Sequence, residues 1–501
     1  MMLLKKNNGP KYSEQALLIS IVLALFVVAY LIGVSLAIPV LLVIMLGYLR
    51  VSYKKLLGKV LQLALLVVTI VVTGKIMIVY FDISAYYVPV IALAMLATIL
   101  FESLELSLAL TVFSSFAIGI MAGNDFILAF ILMVGGIVAS IFAFGARRRS
   151  QIYKAGMYAS IIQLFCIMLF SIHTRIPVHE IINVEVQPFI TDSLVFTPSA
   201  LSGRHIIFSG IISSFLTLSS LLIFENPFKV ASNFTLLELS DFNHPLLRKM
   251  ILEAPGTYQH SLIVGNLAEA AAEAIGANSL LARVGSYYHD IGKIEKAEYF
   301  SENQLHMGSK HDKLQPSMSS LLIINHVKEG IEIAKKHRLK PAIIEFISQH
   351  HGTGLVFYFY RRALESKANE TENFDVEENR YRYPGPKPQK KETAIVLLAD
   401  SVEAACRTLP EPAPSKIEEL VRKIVNNKFI DGQLDECELT LKEIEKISTT
   451  FIKILSAIYH SRVQYPESEE KKNGAKRNQS TKENSRPEKN NTTESQADSS
   501  A

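Results

Sequence analysis

The apolar runs in the first half of the sequence constrain the fold most, because several are long enough to cross a lipid bilayer. A spanning helix needs about 20 apolar residues. Eight such runs lie near residues 15–33, 34–49, 57–80, 83–101, 104–123, 126–145, 153–172 and 204–224. The second is short and follows the first closely, so a single long or re-entrant segment is the alternative there. We predict a polytopic helical membrane domain over residues 15–224, with about eight transmembrane helices.

The basic residues between these runs indicate how the chain is oriented. With eight spans, residues 1–14 and the C-terminal half lie on the same side of the membrane. The basic residues on that side include Lys5, Lys6, Lys11, Arg50, Lys54, Lys55, Arg147, Arg148 and Arg149. The turns at 82–86 and 123–125, on the other side, contain no Lys or Arg. Cytoplasmic loops are enriched in these residues. We therefore expect a multi-pass protein in contact with the lipid bilayer, with both chain ends in the cytoplasm.

The second half of the chain has the composition of a soluble domain. The whole chain is 49% hydrophobic and 20% charged, and most of the charge follows residue 224. Apolar residues recur there at helical spacing, as in Ile343, Ile344 and Ile347. We predict a linker helix over 225–250 and an all-helical domain over 251–465, interrupted by a proline-rich loop over 366–391. Residues 466–501 have almost nothing to bury and are expected to be disordered.

Cysteine content and net charge exclude some functions. The three cysteines, Cys166, Cys406 and Cys437, are far apart and form no CxxC pair. This argues against a disulfide framework or a thiolate zinc site, and it fits a reducing cytoplasm. A net charge of +4 is too small, in a chain with many membrane-flanking basic residues, to indicate binding to a nucleic acid polymer.

Histidine and aspartate residues of the predicted soluble domain suggest a metal centre. A single histidine on a helix is usually structural, and adjacent residues such as His289 and Asp290 point about 100° apart on a helix. A shared site therefore needs ligands from other segments. Imidazole and carboxylate suit iron, manganese or zinc. The sequence supplies seven potential ligands, His260, His289, Asp290, His326, His350, His351 and Asp400.

The order and surroundings of these residues resemble a known family. The pattern H…HD…H…HH…D is similar to that of the HD-domain phosphohydrolases. The stretches HPLLRKMILEAPGTYQHS, YYHDIGK, YRYPGPKPQ and LADSVEAACRTL resemble the seven-transmembrane HD family of bacterial cyclic di-AMP phosphodiesterases. The likeness is close over residues 236–459 and loose over the membrane half.

The resemblance implies a two-metal site with iron or manganese. His260, His289, Asp290 and Asp400 would hold one ion, and Asp290 would bridge to a second held by His326, His350 and His351. The implied reaction, in the bacterial cell membrane, is hydrolysis of cyclic di-AMP to linear pApA, which lowers the second-messenger level. Two adjacent metal ions suit this chemistry, because they activate a water and polarise a phosphoryl oxygen together. Whether the chain forms a homo-oligomer is left open.

Other residues near these stretches have a functional and a structural interpretation. Lys293, one turn after Asp290, is a candidate catalytic and phosphate-binding residue or a solvated lysine. Arg407, two turns after Asp400, is a candidate substrate contact or a surface arginine. We interpret Tyr287 and Tyr288 as packing residues rather than adenine-stacking residues. We also interpret His306 and the pair His311–Asp312 as polar loop residues.

Several alternatives remain open at this point. HDIGK and HHG also recur in HD-GYP enzymes that act on cyclic di-GMP, although GTGLVFYFY follows His351 here without a Gly-Tyr-Pro. A non-catalytic nucleotide receptor and a transporter with a regulatory domain are the others. Full-length members of the resembling family also carry a large extracellular domain after the first membrane helix. Only residues 32–35 stand there in this chain, so its sensory input is in doubt.

Overall fold

A computed structural model describes residues 57–174, 203–304, 310–369, 377–410 and 412–459, with a few residues between 35 and 45. The predicted first membrane segment, most of the second and the predicted tail over 466–501 lie outside the described residues. Within the described ranges the chain is helical, and its only β contact is an isolated bridge between Leu355 and Arg382. The predicted all-α fold class is confirmed.

Six helices of the first half form the described part of the membrane bundle. They are α1 (Leu57–Lys75), α2 (Val90–Phe101), α3 (Leu104–Met121), α4 (Phe126–Ala143), α5 (Arg149–Thr174) and α6 (Gly203–Phe228). A π-helical turn, Ile76–Tyr80, extends α1. Five helices, all but α2, are long and apolar enough to cross a membrane. The chain is a membrane protein, and the count of eight spans stays a prediction.

The run predicted at 83–101 is shorter as a helix than expected. Pro89 stands immediately before α2 and separates it from a short 3-10 turn at Ala85–Tyr87. Proline lacks the N–H that a helix interior requires, so one continuous helix does not form there. The twelve residues of α2 reach only about 18 Å at 1.5 Å per residue. All twelve are buried, which places α2 inside the bundle.

Small and hydroxylated residues hold the bundle together. The hydroxyl of Ser107 on α3 lies 2.7 Å from that of Thr98 on α2 and 2.8 Å from that of Ser140 on α4. Gly156 on α5 and Gly210 on α6 lie so close that a Cβ on either would fall about 2.3 Å from the backbone oxygen of the other. Small residues allow such close crossings, and buried hydroxyls cross-link helices in an apolar medium.

The predicted linker helix over 225–250 is wrong in detail. The last membrane helix continues to Phe228, and two short helices follow, α7 (Asn233–Leu239) and α8 (Pro245–Glu253). Ser232 caps the first of them by accepting from the Thr235 N–H. Proline at position 245 restricts the residue before it to extended conformations, so the chain must restart a helix there.

Eight further α-helices follow in the soluble half. They are α9 (Pro255–Ile275), α10 (Ser279–Tyr288), α11 (Pro316–Lys336), α12 (Pro341–Gln349), α13 (Phe357–Asn369), α14 (Lys391–Arg407), α15 (Pro414–Ile430) and α16 (Leu441–Ile458). Four of these, like α8, begin with proline at the first helical position, where its fixed φ and missing N–H cost nothing.

The predicted loop over 366–391 is shorter than expected. Helix α13 continues through Asn369, and Lys391 is already the first residue of α14. Between them, residues 377–390 are described and include only a short 3-10 turn at Glu378–Tyr381. The helix extends further because its sequence, FYFYRRALESKAN, contains no helix-breaking residue before position 370.

Candidate metal centre

Five helices bring the seven predicted ligands together. His260 lies within α9, His326 within α11 and Asp400 within α14. The other ligands lie where a helix stops. His289 and Asp290 directly follow α10, and His350 and His351 directly follow α12. His289 and His350 keep helical φ and ψ, whereas Asp290, with φ −109° and ψ 16°, departs from the helix, and both members of each pair face the same centre.

The glycine of HDIGK allows the close approach of two segments. A Cβ on Gly292 would lie 1.8 Å from the backbone oxygen of His326 and 2.5 Å from the backbone nitrogen of Gly330. No side chain fits in that space. The segment after Asp290 therefore packs directly on the α11 backbone, which brings the HD pair against His326.

Asp290 lies between two groups of histidines. Its Oδ2 is 3.3 Å from His289 Nε2 and 3.7 Å from His260 Nε2. Its Oδ1 is 3.3 Å from His326 Nε2 and 3.4 Å from His350 Nε2. One carboxylate thus presents a different oxygen to each group, which is the arrangement a bridging ligand requires.

Asp400 and His351 complete the two groups. Asp400 Oδ1 lies 3.0 Å from His260 Nε2, and its Oδ2 lies 3.4 Å from His351 Nδ1. Two sets of four residues result, and within each set the ligand atoms all lie within 4.8 Å of one another. The first set is His260, His289, Asp290 and Asp400. The second set is Asp290, His326, His350 and His351. These are the two sets that the family resemblance implies.

The outer nitrogens of four histidines are held by acceptors. His289 Nδ1 donates to the Ser286 carbonyl at 2.6 Å. His326 and His350 use carbonyls in the same way, three residues earlier in the chain. His260 Nδ1 instead contacts the carboxylate of Glu403. With Nδ1 donating outward, each ring turns Nε2 towards Asp290, as a metal-ligating histidine does.

Burial and nearby carboxylates set the protonation of the centre. Burial lowers the pKa of His289, but Asp290 outweighs it and the pKa rises to about 10. Burial lowers the pKa of His350 to about 4 despite its contact with Asp290. Burial raises the pKa of Asp290, yet His289 and Lys293 hold it well below its usual range. At neutral pH the carboxylate is therefore ionised and His350 is neutral, both being forms that bind a cation. His289 is protonated in the metal-free centre, so it would release a proton when it binds a cation.

These residues fit a divalent cation pair. Six of the seven are buried, and His351 is about one-fifth exposed. Neither oxygen of Asp290 nor Nε2 of His289 receives a well-directed hydrogen bond. Buried polar atoms are rarely left without a well-directed hydrogen bond, because the lost solvation costs about 1–3 kcal/mol when no partner replaces it. A cation is the partner that this set of donor atoms suits.

The structure places Lys293 against the bridging carboxylate. Its Nζ lies 2.6 Å from Asp290 Oδ2 and 2.9 Å from Glu302 Oε1, and it lies over the ring of Phe300. Burial lowers its pKa, but these carboxylates outweigh burial and raise it. Lys293 is thus a cation beside the centre with a side chain only 12% exposed, rather than a solvated helix residue.

Arg407 lies behind His260. Its guanidinium pairs with Glu403, and one of its nitrogens lies 3.0 Å from His260 Nδ1. The side chain is 38% exposed, so part of it is open to solvent. Its contacts with Glu403 and with His260 Nδ1 lie on the side of the His260 ring away from Asp290.

The remaining predicted residues lie outside the cluster or outside the described chain. His311 is buried, and its Nε2 lies 2.8 Å from the Tyr299 carbonyl, while His306 lies in the undescribed stretch 305–309. The packing interpretation of the two tyrosines is confirmed. Tyr288 is buried and donates to the Leu239 carbonyl, and Tyr287 packs against Phe242.

Three residues of the site were not singled out from the sequence. Glu302 pairs with Lys293, and Tyr383 stacks on His351 with ring centroids 4.2 Å apart. Glu403 is the third, and it had a sequence signal. It stands three residues after Asp400 in a predicted helix, so the two carboxylates share a face.

Comparison with known proteins gives two family matches. Residues 27–232 match a family described as 7TM receptor with intracellular HD hydrolase, and residues 257–405 match the HD domain family. The first match contains seven of the eight predicted membrane segments in full. It starts within the segment at 15–33.

Two bacterial relatives are similar over much of the chain. A cyclic-di-AMP phosphodiesterase PgpH of Bacillus subtilis is 38% identical over 398 residues, covering 77% of this chain and 52% of that protein. One of Listeria monocytogenes is 41% identical over 337 residues, covering 67% of this chain and 44% of that protein. The chain therefore spans about half the length of the curated relatives it matches.

A solved structure is also similar. The crystal structure of the L. monocytogenes phosphodiesterase PgpH HD domain in complex with cyclic-di-AMP is 51% identical. The match covers 44% of this chain and all of that one, with a TM-score of 0.41.

Proposed function

Because the chain belongs to the seven-transmembrane family with an intracellular HD hydrolase domain, we propose that it is a metal-dependent phosphodiesterase anchored in the bacterial membrane. Its substrate is cyclic di-AMP and its product is linear pApA, so its action lowers the level of this second messenger. The HD domain, residues 251–465, lies on the cytoplasmic side.

One observation supports this proposal above the others. The buried Asp290 carboxylate presents one oxygen to His260 and His289 and the other to His326 and His350. Lys293 is an ion-pair partner of one of these oxygens, but four imidazole nitrogens also surround the carboxylate and give neither oxygen a well-directed hydrogen bond. A catalytically silent fold has no need of such an arrangement.

The residues of the centre have separate tasks in the reaction. Two cations, iron or manganese, would be held by the seven ligands and would supply a water nucleophile and charge neutralisation at the phosphate. Water adds to phosphorus, the bond to the 3′ oxygen breaks, and that oxygen leaves with a proton as a hydroxyl. Lys293, with its Nζ 2.6 Å from Asp290 Oδ2, keeps Asp290 ionised and would offer a positive charge to a phosphate bound at the centre.

The choice of base is the weaker step, because no residue of the centre reads adenine. It rests on the two relatives described as cyclic-di-AMP phosphodiesterases. The absence of Gly-Tyr-Pro after His351 argues against the HD-GYP alternative. A non-catalytic receptor is the other alternative, and the presence of all seven ligands argues against it.

The test uses the full chain in detergent micelles. The purified protein is stripped of metal, reloaded with Mn²⁺ or Fe²⁺, and incubated separately with cyclic di-AMP and cyclic di-GMP. Products are identified by mass spectrometry. We expect pApA from cyclic di-AMP in the loaded protein and none in the stripped protein. Faster cleavage of cyclic di-GMP would overturn the substrate, and binding without cleavage would favour the receptor.

A further inference from the structure

Glu403 is a buried carboxylate behind the metal centre. It lies on α14 one turn after Asp400, it is 1% exposed, and one of its oxygens contacts His260 Nδ1. Arg407, a further turn along α14, pairs with the same oxygen. The side chains of Arg407, Glu403 and His260 thus form a row from solvent to Nε2 of His260, the nitrogen that faces the centre.

His260 faces two groups of opposite hydrogen-bonding character at one nitrogen. The ionised Glu403 only accepts, whereas the Arg407 guanidinium, 3.0 Å from Nδ1, only donates. If Nδ1 accepted from Arg407, a neutral imidazole would carry its proton on Nε2 and could not bind a cation there. If Nδ1 donates to Glu403, Nε2 keeps its lone pair and faces Asp400 and Asp290.

We propose that Glu403 is a positioning residue that holds His260 in its metal-binding tautomer and orientation. Arg407 then orients and balances the Glu403 carboxylate rather than contacting substrate. This inference rests on the metal centre of the proposed function. It concerns the ion held by His260, His289, Asp290 and Asp400.

The positioning role of Glu403 can be tested by mutation because the acceptor at His260 Nδ1 is a side chain. His289, His326 and His350 have backbone carbonyls at Nδ1, which no substitution removes. His260 has a side chain instead. Glu403→Gln keeps the shape of that side chain but removes its charge and adds an NH₂ group, so the side chain can donate to Nδ1 as well as accept from it and no longer enforces the metal-binding tautomer.

The experiment measures metal binding without any substrate. The full chain in detergent micelles is stripped of metal and titrated with Mn²⁺, and bound metal is counted by mass spectrometry after equilibrium dialysis. In Glu403→Gln we expect one of the two ions to bind roughly 10- to 100-fold more weakly, the usual effect of removing such an outer partner. Unchanged affinity for both ions would overturn the proposal.

Two controls separate positioning from general stability. Glu269→Gln is matched, since Glu269 is a carboxylate on α9 paired with Arg283 and away from the centre, and it should bind both ions normally. Adding Glu403→Gln to His260→Ala should cause no further loss, because the effect passes through His260. An equal further loss in that background would mean that Glu403 acts on the fold.

Arg407→Met provides a second variant in case Glu403→Gln does not fold. We expect it to weaken the same ion by a smaller factor, with the KM for cyclic di-AMP unchanged at saturating Mn²⁺. A raised KM with normal metal binding would make Arg407 a substrate contact and contradict its assigned role. The metal titration is informative even if the proposed phosphodiesterase activity fails.

Discussion

Two His-Asp dipeptides occur in this chain, and their surroundings differ. Asp290 is fully buried, with four imidazole nitrogens within 3.7 Å of its carboxylate. Asp312 is 65% exposed and has a loose contact with Arg362 at 3.8 Å. The first pair follows a helix that is enclosed by others, whereas the second lies in a 3-10 turn in which His311 is buried and Asp312 faces solvent.

This contrast provides a matched test of the bridge. Asp290→Ala removes the one carboxylate shared by both ligand sets, so we expect it to lose both ions and the phosphodiesterase activity. Asp312→Ala removes the same group from the second pair and should leave metal content and rate within about twofold of the parent, as exposed substitutions usually do. Metal content is counted per folded chain. Normal metal content in Asp290→Ala would contradict the bridging role.

Glu443 is a residue whose charge links two helices. It contacts Lys391 at the start of α14 and accepts from the Thr440 N–H at the start of α16. The Lys391 contact, aided by the Thr440 N–H, lowers the Glu443 pKa to about 2 from an ordinary 4.5. A depressed carboxylate pKa stabilises the folded state above the unfolded pKa, and this contribution is lost as the pH falls towards the folded pKa.

We therefore expect Glu443→Gln to unfold at a lower temperature than the parent at pH 7. The free energies of unfolding of the two proteins should differ by on the order of 1 kcal/mol or less, because the Glu443–Lys391 pair is partly solvated. It should shrink as the pH is lowered from about 4.5 towards 2. Thermal unfolding of both proteins is followed by circular dichroism across this range. A difference that stays constant with pH would exclude the ionic contact as its source.

At the scale of elements, the membrane bundle contacts the helices that carry metal ligands. Asn278 caps α10, the helix before His289, and its side-chain amide donates to Glu102 at the end of α2. Lys340 precedes α12, the helix before His350, and contacts Glu225 of α6 at 3.3 Å. Each contact joins one membrane helix to one ligand-bearing helix.

The Lys340 contact should contribute to stability. Glu225 is 3% exposed, so Lys340→Met leaves a buried carboxylate with only its bonds to Thr235 and Ser232. We expect the free energy of unfolding to fall by about 1–3 kcal/mol. This is less than for a fully buried ion pair, because Lys340 is partly exposed. Thermal unfolding in detergent micelles measures it.

Lys249→Met is the control for that substitution. Lys249 is 41% exposed and pairs with Glu253 and Glu295, so its loss should cost less than about 0.5 kcal/mol. Equal shifts in the two variants would mean that the buried contact adds nothing beyond an exposed ion pair.

For the whole molecule, the end of the bundle that carries Arg147, Arg148 and Arg149 contacts the HD domain. Arg147 Nη2 lies 3.4 Å from Ser279 Oγ, whereas the turn after α3 that contains Asn124 and Asp125 has no Lys or Arg. From the positive-inside rule we predict that this end, and with it the HD domain, faces the cytoplasm.

Cysteine labelling of intact cells tests this orientation. Cys166, Cys406 and Cys437 are first replaced, and single cysteines are introduced as Asn124→Cys or Ser150→Cys, both at exposed positions. A membrane-impermeant maleimide should label position 124 in intact cells and position 150 only after lysis. Labelling of position 150 from outside would reverse the orientation and overturn the predicted eight-span topology.

The sequence by itself determined the class of the protein and the types of its ligands. Apolar runs of spanning length require helices in a bilayer, because backbone polar groups there need internal partners. Prolines such as Pro255 and Pro341 start helices through their own φ angle. The ligand types, histidine and aspartate, can also be read directly from the sequence. These properties are local, so a local pattern predicts them.

Only the tertiary structure decided which atoms meet. His260 and Asp400 are 140 residues apart and lie within 3.0 Å, and the two oxygens of Asp290 face different histidines. It also placed Glu403 behind His260 and directed Arg407 to that carboxylate. Contacts of this kind depend on how helices pack and on which rotamer each side chain adopts in the packed core. Neither is fixed by the neighbours of a residue along the chain.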